Sequence, residues 1–250
     1  MHMIAEQRFA HIIEAVEQRG TVTVTELAAE LETSESTVRR DLEKLAAMHR
    51  LLKVHGGATR LEDAHVVRDL TLSERSELHT AEKDRIVRYA ASLVQPDDFV
   101  YVDSGSTTRE LVACLAETQA TYVTDSVFHA ACLADRGLRV LVLGGEVKAA
   151  TRAAVGPDAV EMLARYHFTL GFWGANGISA EHGCTTPDRN EAEVKWVALA
   201  HTAPGRRFVL ADASKFGRVA PVTFAALSDV TVVTTERPAG FEDCDNIMVA

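Results

Sequence analysis

The chain has little of what would mark a secreted, metal-bound or membrane-embedded protein. Its 250 residues include only four cysteines, Cys114, Cys132, Cys184 and Cys244. They lie far apart and form no CxxC pair, which argues against a disulfide framework and against a thiolate metal site; free thiols in a reducing cytosol are the expectation. No apolar run approaches the roughly 18 residues of a membrane span. No basic region followed by an apolar one opens the chain, and there is no internal repeat or low-complexity tract. Neither a GxxxxGK nor a GxGxxG motif is present. Basic charge is also in deficit: 26 Lys+Arg against 36 Asp+Glu leave a net charge of −10. The surface as a whole is therefore unsuited to a polyanion. What remains is a folded chain, 47% hydrophobic with mean hydropathy −0.01, long enough for two domains.

The basic charge that exists is concentrated. Between Ser36 and Arg60, six cations (Arg39, Arg40, Lys44, Arg50, Lys53 and Arg60) face two acids, Asp41 and Glu43. A local net of +4 in an acidic chain points to a polyanionic partner rather than an ordinary solvated helix face. The pattern around it has a recognisable order. Phe9, Ile12, Ile13 and Val16 share one face of a helix predicted over 4–18, which Gly20 ends. Val22 and Val24 alternate with threonines as in a short strand. Thr25 is placed to cap a second helix with apolar Leu27, Ala28 and Leu31. Glu32-Thr33-Ser34 breaks that pattern, and Ser34 suits the N-cap of a third helix buried along Val38, Leu42 and Leu45.

A strand pair, Leu51 to His55 and then Gly56-Gly57, completes a winged helix-turn-helix. Such a unit sets the first turns of its second helix against base edges. The candidates for DNA contact are therefore Ser34, Glu35, Ser36, Thr37, Arg39, Arg40 and Lys44 on that helix. Lys53, His55, Gly56 and Gly57 are the candidates on the wing. Arginine reads guanine or clamps phosphate, and the sequence leaves open which arginine does which. A winged helix that binds protein instead of DNA is the alternative.

Residues 61–79 are polar, have no sustained period and read as a linker between a DNA-binding domain at 1–60 and a larger domain at 80–250. In the larger domain apolar runs at 99–102, 121–123, 140–143, 168–173, 208–210 and 230–233 alternate with helical segments. That is the signature of a largely parallel, doubly wound α/β sheet covered on both faces. Ligands of such sheets bind beyond the carboxyl ends of the strands. The first strand is followed by Asp103-Ser104-Gly105-Ser106-Thr107-Thr108, where free helix-terminal N–H groups and hydroxyls converge as an anionic oxygen cluster requires. A serine/threonine-capped turn without ligand is the plainer alternative. Lys215, after a later strand, is a possible counter-charge or a loop lysine. Glu191 and Lys195 are ligand contacts or a surface pair four residues apart.

Together these segments resemble the DeoR family of bacterial transcriptional regulators, over nearly the whole chain. The resemblance rests on Ser34 to Leu42 (SESTVRRDL), His55-Gly56-Gly57-Ala58, Asp103 to Thr108, Gly144-Gly145, Gly174-Ala175-Asn176-Gly177-Ile178, Glu191 to Lys195, and Asp212 to Phe216. It implies a sensor domain with the fold of ribose-5-phosphate isomerase and a phosphorylated sugar or sugar-derived effector. It also implies a homo-oligomer, dimer or tetramer, on a double-stranded DNA operator near sugar-catabolism genes, and repression relieved by effector. The effector-binding residues so implied are Asp103, Ser104, Gly105, Ser106, Thr107, Thr108, Asp125, Gly145, Asn176, Glu191, Lys195 and Lys215. No catalytic residue, metal or cofactor is expected, and the protein is expected in the cytoplasm. Two positions depart from the family's usual pattern: His49 stands before the wing, where Gly or Asn is common, and Thr124-Asp125 stands where Thr-Asn is common. An isomerase-like enzyme with a DNA-binding appendage, or an activator, are the rival functions.

Overall fold

A computed structural model describes residues 5–19, 21–48, 50–54, 56–59, 80–238, 240–241 and 244–250. The chain divides into two units, residues 1–65 and 66–250. Residues 60–79, His49 and His55 lie outside the described residues, and with them the expectations placed on the linker, on the position before the wing and on the wing histidine.

In the first unit α1 (Ala5–Arg19), β1 (Thr21–Thr23), α2 (Val24–Glu30), α3 (Glu35–Ala47), β2 (Leu52–Val54) and β3 (Gly57–Thr59) follow in order. The three strands form an antiparallel sheet ordered β1-β3-β2. Ile12, Val16, Leu27, Leu31, Val38, Leu42 and Leu45 meet Val22 and Leu51 in one core, so the apolar stripes read from spacing are the buried faces. The cap of α2 corrects the sequence reading. Thr23 is its N-cap, and its hydroxyl accepts from Glu26 N–H at 3.2 Å while Glu26 accepts from Thr23 N–H at 2.9 Å. That reciprocal box needs Glu three residues beyond the cap; Thr23 has it and Thr25 does not. Val24 is consequently helical.

The wing glycines have different reasons. Gly56 has φ +79°, a turn conformation that glycine accepts without strain. Gly57 lies so close to β1 that a Cβ there would sit 2.0 Å from Val22 O. Asp41 is buried and takes Arg8 Nε at 2.7 Å and Nη2 at 3.2 Å, tying α1 to α3.

The second unit runs α4 (Thr80–Ser92), β4 (Phe99–Val102), α5 (Ser106–Cys114), β5 (Thr121–Thr124), α6 (Val127–Asp135), β6 (Arg139–Val142), β7 (Glu146–Val147), β8 (Ala154–Val155), α7 (Pro157–Leu163), β9 (Leu170–Gly174), β10 (Gly177–Ser179), β11 (Gly183–Thr186), α8 (Arg189–Ala200), β12 (Arg207–Leu210), β13 (Val222–Ala225), β14 (Thr231–Thr234) and β15 (Ile247–Val249). Seven strands make a wholly parallel sheet ordered β6-β5-β4-β9-β12-β14-β15.

Alternate residues of these strands face opposite ways into two cores. Val100, Val102, Tyr122, Leu170, Phe172, Phe208 and Leu210 pack with Ile86, Leu111 and Leu133 of α4, α5 and α6. Tyr101, Val123, Trp173, Val209 and Val232 pack with Leu163, Val194 and Ala198 of α7 and α8. The sheet is thus doubly wound, as the apolar runs implied. Strand order advances outward from β4 on one side and from β9 on the other, so the topological switch lies between β4 and β9, the expected ligand crevice.

Three features were not legible in the sequence: β15, the short β7–β8 pair, and an antiparallel sheet ordered β10-β11-β13. All four residues of β11, Gly183-Cys184-Thr185-Thr186, are buried, so no polar/apolar alternation marks it.

Candidate functional site

In the first unit Ser34 caps α3, its hydroxyl accepting from Thr37 N–H at 3.2 Å. The cap fixes where α3 begins, and the residues facing away from its buried stripe become the outer face. Ser34, Glu35, Ser36, Arg39, Arg40 and Lys44 are exposed and Thr37 is half-buried. Glu35 accepts from Arg39 at 3.0 Å, and Arg40 Nε donates to Ser36 O at 3.3 Å. On the wing, Lys53 is exposed and pairs with Glu43 of α3 at 2.7 Å. Gly56 is exposed, whereas Gly57 is buried against β1.

In the second unit the loops after β4 and β9 open a cavity lined by Ser104, Gly105, Ser106, Thr107, Gly174, Ala175, Asn176, Glu191, Lys195 and Lys215. The N-cap of α5 is Gly105, in extended backbone, with no side chain capping the helix. The free N–H groups and positive end of the helix dipole therefore point toward the cavity, a setting that favours an anion. Lys195 of α8 reaches across the sheet end to the Asp103 carboxylate and to Gly174 O at 3.3 Å, and Gly174 N–H donates to Asp103 Oδ2 at 2.9 Å. Asn176 Oδ1 accepts from Thr186 at 3.2 Å. Glu191 Oε1 accepts from Thr151 at 2.6 Å and from Lys148 at 3.1 Å, and Lys148 also pairs with Asp188 at 3.1 Å.

The floor of this cavity is rich in buried ionisable groups. Burial pushes the Asp103 carboxyl up, and Lys195 and the Gly174 amide pull it back part of the way. Asp125, 2% exposed, is held well above the usual carboxylate range, first by burial and next by the charge of Asp103. His129 of α6 is fully buried; burial lowers it to about 4, with Arg109 adding to the shift and the Gly105 backbone opposing it.

Sequence comparison supplies the family. Residues 78–237 match the DeoR C terminal sensor domain and residues 8–64 the DeoR-like helix-turn-helix domain. The chain belongs to the DeoR family. It is a DNA-binding transcriptional regulator with a helix-turn-helix unit and a sensor unit. It is 36% identical over 235 residues to the HTH-type transcriptional regulator FruR of Bacillus subtilis (strain 168), covering 94% of this chain and 92% of the relative. It is 30% identical to the HTH-type transcriptional repressor GlcR of the same organism (97% and 93% covered). It is 29% identical to the glycerol-3-phosphate regulon repressor of Escherichia coli (strain K12) (93% and 91% covered).

Among solved structures, ribose 5 phosphate isomerase A from Neisseria gonorrhoeae superposes with TM-score 0.39 at 14% identity, over 54% of this chain and 52% of that one. The doubly wound parallel sheet stands on the strand order itself.

The DeoR sensor unit brings together most of the residues singled out from sequence, and sorts them. Ser104, Gly105, Ser106, Thr107, Asn176, Glu191, Lys195 and Lys215 line the cavity. Asp103, Thr108, Asp125 and Gly145 do not. Asp103 is fully buried behind Lys195, and Thr108 is fully buried and donates to Gly105 O at 3.2 Å. Asp125 lies behind Ser104, whose hydroxyl donates to its Oδ2 at 2.9 Å. Ser126 caps α6. Gly145 has φ +118°, and a Cβ there would lie 2.5 Å from Val155 O, so its glycine answers to packing. Glu191 and Lys195 are both buried and do not pair with each other; one meets Thr151 and Lys148, the other Asp103. Lys148 and Thr151 were missed. They sit in an irregular segment between β7 and β8 that has no periodicity to announce it.

Proposed function

We propose that this DeoR regulator is a cytoplasmic repressor of carbohydrate-use genes, released from its operator by a phosphorylated sugar. The observation that carries the reading is the cavity at the β4/β9 switch point, where the uncapped start of α5, three hydroxyl side chains and two lysines converge. The effector's phosphate rests on the Ser104–Thr107 loop with Lys215 as counter-charge; Asn176, Glu191 and Lys195 take hydroxyls. The relative named as the glycerol-3-phosphate regulon repressor supports this class of ligand. The DNA-binding domain is residues 1–60, with Arg39, Arg40, Lys44 and Lys53 at the duplex, and the sensor is residues 80–250. The working form is a homo-oligomer on repeated or palindromic half-sites, a dimer or tetramer. Among the described residues no helix is long and apolar enough to cross a membrane.

Binding without turnover is favoured by what holds the carboxylates. A general base must reach a substrate proton. Asp103 is fully buried and bound to Lys195 and Gly174, and Glu191 is 6% exposed with its Oε1 taken by Thr151 and Lys148. A melting screen of phosphosugars against their unphosphorylated parents tests the reading. A ligand at 100 times its Kd stabilises by about 2.7 kcal/mol. Phosphosugars alone should raise Tm; a shift from the parents alone, or measurable isomerisation of ribose-5-phosphate, would overturn it.

A further inference from the structure

Behind the cavity wall sits a polar pair with no role so far. Asp125 follows β5 and is 2% exposed. Its Oδ2 accepts the Ser104 hydroxyl at 2.9 Å, and its Oδ1 is buried without a hydrogen-bond partner. Ser104 itself forms part of the cavity wall. A serine hydroxyl has one proton to donate and an ionised carboxylate has none. While Asp125 is ionised, that proton is committed backwards, and Ser104 turns only lone pairs toward the cavity. With a proton on Asp125 the bond reverses: the carboxylic acid donates to Ser104 Oγ, and the serine proton is free for a ligand oxygen.

We propose that Asp125 is a proton-linked determinant of anion binding in this cavity, protonated when an anion is held and setting whether Ser104 donates to it. The proposal rests on the reading of the cavity as an anion site. The step balances simply: the anion enters, the carboxylate takes one proton from solvent, the Ser104–Asp125 hydrogen bond reverses, and no other covalent bond changes. The charged and titratable groups facing Asp125 are Tyr101 and Asp103 from β4 and its end, and Glu191 and Lys195 from α8. Asp103 and Glu191 bring negative charge against the cation of Lys195, while burial pushes the Tyr101 hydroxyl well up and keeps it neutral, so an arriving anion adds to the charge that opposes ionisation of Asp125. Burial and the Asp103 charge both push this carboxyl up, so it takes a proton more readily than an exposed aspartate does.

Sulfate is the probe, because it keeps its double charge throughout the neutral range and any pH dependence belongs to the protein. Its affinity for the full-length chain is measured by calorimetry across that range, and the part abolished by Ser106→Asp is taken as the cavity's. That affinity should fall by up to about tenfold per pH unit above the Asp125 titration. In buffers of different ionisation heat, uptake should approach about one proton per sulfate. Asp125→Asn should remove the pH dependence, and Ser104→Ala should both weaken binding and flatten its pH profile. An unchanged pH slope in Asp125→Asn, or no proton uptake by the wild-type chain at any pH, overturns the linkage while leaving the anion site intact. Absence of any sulfate binding removed by Ser106→Asp overturns both. The buffer measurement needs no variant at Asp125, so the test stands even if that substitution prevents folding.

Discussion

Asp125 and His129, four residues apart, are buried ionisable side chains with opposite consequences for stability. Asp125 has its folded titration raised above the unfolded value. Its contribution is intact at acid pH and is lost as pH rises from the unfolded value, near 3.9, through the folded one. His129, lowered to about 4, behaves the other way: the unfolded chain takes its proton first, and stability is lost as pH falls below about 6.5. Asp125→Asn removes the first effect and leaves the second. The Tm difference between Asp125→Asn and the wild-type chain should move in the variant's favour as pH rises above about 4. A constant difference would show that Asp125 ionises freely in the fold. The sequence revealed the unusual aspartate but not its burial: Thr124-Asp125 looks like any polar strand end, and only the packing of β4 and α8 over it takes it from water. Thr108 and Asp103 are similar cases. Both belong to a legible loop, and both turn inward while the four residues between them line the cavity.

At the scale of the element, α3 was the part most plainly written in the sequence. Its cap, its buried stripe and its outer face all follow from local rules, because an amphipathic helix of 13 residues carries its own period. The start of α2 was harder, since Thr23 and Thr25 are chemically alike and only the partner at Glu26 decides between them. The short strands β7, β8 and β10, with no more than three residues each, had too few positions to show a period. On α3, Arg39 is held by Glu35 and Arg40 by Ser36 O. An exposed ion pair such as Arg39–Glu35 contributes about 0–1 kcal/mol, and the Arg40 bond to a backbone carbonyl is equally exposed, so neither contact prevents an arginine from turning to DNA. Arg39→Ala and Arg40→Ala should each weaken operator binding by about 1–3 kcal/mol if the arginine reads a base, with relaxed sequence preference at one position. A phosphate clamp would instead weaken all sequences alike and lower the salt slope by about 1. Fluorescence anisotropy on operator and mutated duplexes at several salt concentrations separates these, and wild-type affinity in both variants would remove α3 from the interface.

For the whole molecule, the chain joins a DNA-binding unit with a locally basic segment at 36–60 to a sensor that carries most of its negative charge, and the function lies in coupling the two. The architecture of each unit was legible, because alternating apolar runs and helices dictate a doubly wound sheet and that sheet dictates where a ligand sits. The position of Lys195 against Asp103 was not, since the two are 92 residues apart in the chain and meet only through the folded sheet. Coupling demands that the effector favour the DNA-incompetent state strongly: moving an equilibrium from 1:99 to 99:1 takes about 5.5 kcal/mol. The most direct measurement is release of the full-length chain from DNA, using duplexes selected with it from a randomised pool. Bound DNA is followed by anisotropy while phosphosugars, or their unphosphorylated parents, are added. A phosphosugar should release the DNA and its parent should not, and Ser106→Asp should bind the same DNA and stay bound in the presence of that phosphosugar. Release by the parent as readily as by the phosphosugar, or release of Ser106→Asp at the wild-type concentration, would contradict the account.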